Sequence, residues 1–136
     1  MAVDAGAFLE RWHEIVAKRD LEGLRGMLAE RVTLGAPPYW NKFDDRELVL
    51  HLLGLIVHTI EDFSYHREWV RGHELALEFR GSVDGMELQG IDLITLDEDG
   101  RVRDLEVPMR PLNAVTALRD RIAPQMLAYL RGRAGS

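Results

Sequence analysis

The chain has 136 residues, 46% of them hydrophobic and 29% charged, with no cysteine and a formal net charge of −6. Those values suit a single globular domain over residues 1–136 with one core. The missing cysteines exclude disulfides and thiolate chemistry, and the negative balance argues against nucleic acid as a partner. No apolar run reaches the length of a membrane span. The opening Met1 to Gly6 has neither a basic stretch nor an apolar signal core, so a cytoplasmic location with no membrane partner is expected.

Phe8, Leu9, Trp12, Ile15 and Val16 recur at helical spacing and predict a first amphipathic helix from about Asp4 to Lys18. Asp20 then caps a short second helix with Leu21, Leu24, Met27 and Leu28 on its inner face. Arg31 to Gly35 reads as a strand. The segment from Ala36 to Asn41 reads as a loop, because Pro37 and Pro38 remove backbone donors and restrict the residues before them. Asp44 or Asp45 caps a third helix that runs to about His58 and is apolar nearly all round, which predicts burial on several sides.

Four strand-like runs follow, at about Asp62–Arg71, His73–Val83, Met86–Leu96 and Arg101–Met109. Asp84-Gly85 and the turn Asp97 to Gly100 separate them as hairpin signals. Pro108 marks a bulge, an edge or a strand end. Pro111 opens a last helix, which Pro124 is expected to kink or restart. On the first and second runs, Arg67, Arg71 and Arg80 are interleaved with Glu68, Glu74 and Glu78, the pattern of a charge-paired, solvated sheet face.

One residue breaks the apolar pattern of the third run. Strand side chains alternate between faces, so Asp92 shares a face with Leu88, Gly90, Ile94 and Leu96. A carboxylate on such a face loses the hydration that favours its charged form, and its pKa rises unless a cation or donors compensate. Groups of this kind gather at functional sites, although a structural partner (a tyrosine, histidine or tryptophan) can also hold one.

Helices first and strands after predict an α+β domain. The phrases Arg11-Trp12 to Leu24 and Ile91-Asp92 to Val102 resemble the first two helices and the last two strands of the NTF2-like superfamily, in particular its SnoaL-like and ketosteroid-isomerase-like members. The resemblance implies an NTF2-like (cystatin-like) cone, a curved antiparallel sheet wrapped around N-terminal helices with an internal pocket. It places Asp92 where the ketosteroid isomerases keep a protonated aspartate that hydrogen-bonds the developing enolate. It places Trp12 at their tyrosine donor on the first helix, and Ala36 at their catalytic base. A methyl group cannot take a proton, so steroid isomerisation by that route is not expected.

The candidate site therefore consists of Asp92 as acid or hydrogen-bond donor, with Trp12, Tyr39, Trp40, His51, Phe79, Leu105, Val107 and Met109 as pocket residues. His51 is the candidate replacement base, since histidine titrates near neutral pH. His51 and His58 lie two helical turns apart without a recognisable metal-binding motif, and no cofactor motif is visible, so neither a metal nor a cofactor is expected. The expected ligand is an apolar small molecule with a carbonyl or hydroxyl. Acid/base chemistry on it (isomerisation, dehydration, cyclisation or epoxide hydrolysis) stands against a non-catalytic binding or dimerisation module. Ile91 and Leu93 point to the outward face and suit a homodimer through the sheet.

Overall fold

Three aspartates start the first three helices. In the computed structural model, which describes residues 4–134, Asp4, Asp20 and Asp45 accept hydrogen bonds from the amides of Ala7, Gly23 and Leu48. Each pairing satisfies an amide that has no partner within the helix. Met1 to Val3, part of the segment weighed above for export, lie outside the described residues. The elements in chain order are α1 (Ala5–Lys18), α2 (Leu21–Met27), β1 (Leu28–Gly35), α3 (Arg46–Thr59), β2 (Glu61–Arg71), β3 (Glu74–Val83), β4 (Met86–Leu96), β5 (Val102–Glu106), β6 (Met109–Arg110) and α4 (Leu112–Ala134).

The strands form one curved, unclosed sheet in the order β1-β5-β4-β3-β2, with β6 also paired to β4. Asp84 and Gly85 both have positive φ, 52° and 78°, the geometry of the tight hairpin between β3 and β4. One pairing departs from the all-antiparallel sheet expected: β1 and β5 run parallel. The chain leaves β1 through the loop and α3, and the later hairpins bring β5 back beside it in the same direction.

Three further expectations need correction. β1 starts at Leu28 rather than Arg31, directly at the end of α2, so Leu28 belongs to a strand. The run Arg101–Met109 is two strands rather than one, parted at Val107 and Pro108 as the strand end expected of that proline; the Pro108 carbonyl accepts from the Ile91 amide. Of the two outcomes expected at Pro124, a kink or a restart, only the restart is overturned, because α4 continues through it. Pro124 is exposed there, so the helix forfeits one backbone bond without pressing its ring on the core.

The inner faces of β3 and β4 pack on α1 and α3 through Trp12, Ile15, Leu53, Ile56, Leu77 and Ile94, all buried. No helix among the described residues is long and apolar enough to cross a membrane.

Candidate functional site

Asp92 lies on the inner face of β4 between Gly90 and Ile94 and is only 7% exposed. The Tyr65 hydroxyl donates to its Oδ2 at 2.7 Å, and Trp12 Nε1 donates to the Tyr65 hydroxyl oxygen at 3.0 Å. An indole nitrogen can only donate, so the Tyr65 oxygen accepts from Trp12 and its own hydrogen is left for Oδ2. With the Tyr65 hydrogen committed to Oδ2, a proton on Asp92 sits on Oδ1. Burial pushes the Asp92 pKa up from 3.8 to about 7, against the opposing effect of the Tyr65 hydrogen bond. Tyr65 is raised well above its usual value, first by burial and then by the Asp92 charge. Asp92 thus holds its proton to a much higher pH than an ordinary surface aspartate.

Aromatic packing holds this chain in place. Trp12 stacks on Phe8 at 5.5 Å between centroids, and Phe63 stacks on Phe79 at 4.9 Å. Tyr65 meets Phe63 edge-on at 5.1 Å and His13 at 5.0 Å. Gly90 leaves room for the layer: a Cβ there would lie 2.3 Å from Phe79 Cζ and 2.9 Å from Met109 Cγ.

Asp92 borders a void of about 30 Å³ walled by Trp12, Leu53, Ile56, Phe79, Leu105 and Val107 among others. That is room for a water-sized group, not for a whole ligand. Two larger spaces flank it. One is a groove of about 510 Å³ between α3, α4 and the double-proline loop, lined mainly by apolar side chains such as Phe43, Leu52, Met109, Leu118, Ile122 and Met126. That volume is in the usual range for small-molecule sites, about 300–1,000 Å³. The other is a more polar cleft of about 560 Å³ between α1 and β2, which includes His13, Arg19, Asp62 and Glu68.

The sequence-derived candidates divide between these spaces. Trp12, Phe79, Leu105 and Val107 share the void with Asp92, whereas Tyr39 and Met109 line the groove together with Ala36. Two expectations are corrected. Trp40 is 96% exposed and lines neither space; the turn closed by the Tyr39 amide on the Ala36 carbonyl leaves it pointing outward. His51 is no neighbour of Asp92. It stacks on Tyr129 of α4 at 4.0 Å, because it lies two residues before Leu53 and so on nearly the opposite side of α3.

Tyr65, the hydrogen-bond partner of Asp92, is not among the sequence-derived candidates, nor are Leu53, Ile56 and Phe63. The signal for Tyr65 was present: Phe63 and Tyr65 alternate with Ser64 and His66, which places both rings on one strand face. Among the described residues, Asp92 is the only carboxylate that lines void or groove, and no histidine lines either. No group of three His, Asp or Glu among the described residues could hold a metal ion.

Comparison with solved structures places this geometry in context. The chain is similar to a steroid delta-isomerase from Pseudomonas aeruginosa, with 34% identity over 95% of this chain and 97% of that one and a TM-score of 0.87. It is also similar to a bacterial protein with a cystatin-like fold from Silicibacter pomeroyi, with 36% identity over 90% and 87% and a TM-score of 0.85. A SnoaL-like polyketide cyclase from a Jannaschia species matches at 12% identity over 81% and 90%, TM-score 0.65, a likeness of fold alone. No family profile matches the chain, and no curated protein does.

Proposed function

Because the chain belongs to the NTF2-like superfamily, we propose that it binds an apolar small molecule carrying a carbonyl or hydroxyl, with the neutral carboxyl of Asp92 as the donor to that oxygen. The observation that carries this reading is the directed chain Trp12–Tyr65–Asp92, which reserves Oδ1 for the acid proton beside a void of one-oxygen size. The groove supplies the apolar volume that the void lacks. Binding is better supported than isomerisation, since Ala36 provides no base and neither space offers another carboxylate or a histidine among the described residues.

A probe without titratable groups tests this. Androst-4-ene-3,17-dione should bind the wild type with constant affinity below about pH 7. Above that, affinity should weaken by up to about tenfold per pH unit as the donor ionises. Besides Tyr65, the walls facing Asp92 carry no titratable group among the described residues, so none of them produces this slope. Asp92→Asn keeps an uncharged amide and should bind without the slope. An identical, flat pH profile for both proteins would rule out contact between Asp92 and the probe.

A second reading concerns the outward face of the sheet, and it too rests on one observation. Glu78 is 1% exposed on that face, held by Arg67 and by Gln89 at 3.0 Å, yet its Oε1 accepts no hydrogen bond and Arg80 Nε stays 3.5 Å away. A buried oxygen without a donor is costly. Trp69 and Leu93 are exposed nearby, with Arg67 and Arg80 toward the β2 edge and Asp104 and Glu106 toward the β1 edge. A second copy turned by a twofold axis would cover Trp69, Leu93 and the Glu78 oxygen, which supports a homodimer through this face.

A further inference from the structure

We infer that Ile56 is the specificity-determining residue of this site, the side chain that decides how bulky a ligand end can pass from the groove to Asp92; the inference rests on the binding reading above. Among the described residues, Ile56 is the one that lines both the groove and the Asp92 void. Helix geometry explains why. Leu52 precedes it by four residues and faces the groove, while Leu53 precedes it by three and faces the void, so Ile56 stands on the border between their two stripes. It is 6% exposed, an aliphatic wall packed between two spaces.

The void has another neighbour, the polar cleft, with which it shares Val16, Val57, Phe63 and Tyr65. That side is the firmer barrier. Tyr65 is fixed by hydrogen bonds at both Trp12 and Asp92, and Phe63 is stacked on Phe79. The His13–Glu68 pair at 3.0 Å also ties α1 to β2 there. Ile56 has no polar tie; its χ1 is stiff in a helix, but the terminal methyl can swing about χ2. The groove side is apolar and the cleft side is polar, so an apolar ligand also partitions toward Ile56.

The consequence is a filter on shape at the ligand's oxygen-bearing end. A slender end, such as that of decan-2-one, passes Ile56 more readily than the ring ketone of androst-4-ene-3,17-dione. Ile56→Ala should therefore tighten binding of the steroid several-fold while changing that of decan-2-one less than about twofold. Ile56→Phe should leave the steroid in the groove but remove the pH slope that reports contact with Asp92.

The test measures steroid and decan-2-one affinities from about pH 6 to about pH 8.5 for wild type, Ile56→Ala and Ile56→Phe. Carbon-13 methyl shifts of Met109 and Met126 report groove occupancy independently, and thermal melting confirms that each variant is folded. A narrowed preference in Ile56→Ala together with a lost slope in Ile56→Phe supports the filter. A slope that survives in folded Ile56→Phe, or equal gains for both probes in Ile56→Ala, overturns it, because the ligand then reaches Asp92 by another route. If Ile56→Phe does not fold, the ratio of the two affinities in Ile56→Ala decides alone. Unmoved methionine methyls and no saturable binding in any protein, wild type included, would instead refute the binding reading on which the inference rests.

Discussion

Tyr65 controls the proton on Asp92 in two ways: it occupies Oδ2, and its hydrogen bond favours the ionised carboxylate. Tyr65→Phe removes that bond, and the Asp92 pKa should climb above about 7, measurable by carboxyl-carbon NMR titration. A lower value in the variant would show that Tyr65 does not stabilise the anion. The raised pKa also sets the sign of a stability effect. Between 3.8 and about 7 the folded protein keeps a proton that the unfolded chain has released, so stability falls as pH rises through that window and levels off above it. The full window corresponds to at most about 4 kcal/mol. Asp92→Asn escapes this loss, and its melting temperature relative to wild type should be higher at about pH 8 than at about pH 4; an unchanged difference would mean that Asp92 titrates as an ordinary carboxylate. Asp92 was legible in the sequence because one polar residue broke a strict two-residue alternation. Its partner was harder to name, since β2 is mostly exposed and only register with Phe79 brings Tyr65 inward.

At the scale of elements, β3 and β4 fit together because β4 has no side chain where Phe79 crosses it. Gly90→Ala would push a methyl into the Phe79 ring and the Met109 side chain, with Phe79 already stacked on Phe63. We expect a loss of about 1–3 kcal/mol in denaturant unfolding. A neutral result would show that these two side chains yield without strain. Helix caps and the Asp84-Gly85 hairpin were readable from local chemistry, for each depends on neighbouring residues only. The true start of β1 was not, because no turn residue separates Met27 from Leu28. The parallel course of β1 and β5 was equally hidden, being set by the path of the intervening chain rather than by either strand's own residues.

For the molecule as a whole, the resemblance of the first helices and last strands identified the fold, whereas the division of the pocket had no local signal. It arises where α4 lies over α3 and the loop, far apart in sequence, as the Arg133–Asp45 pair at 2.7 Å illustrates. Assembly belongs to this scale too. Sedimentation at tens of micromolar should give the mass of two chains for the wild type and of one for Leu93→Arg, which plants a charge at the centre of the outward face. A single-chain mass for the wild type would refute the homodimer. The void around Asp92 carries one more implication. Its walls come from α1, α2, α3 and every strand from β2 to β5, so an intermediate in which any of these has yet to dock does not contain it complete. The neutral carboxyl is therefore a property of the finished architecture, and its protonation near neutral pH is a signature by which native molecules can be told from any partly folded form.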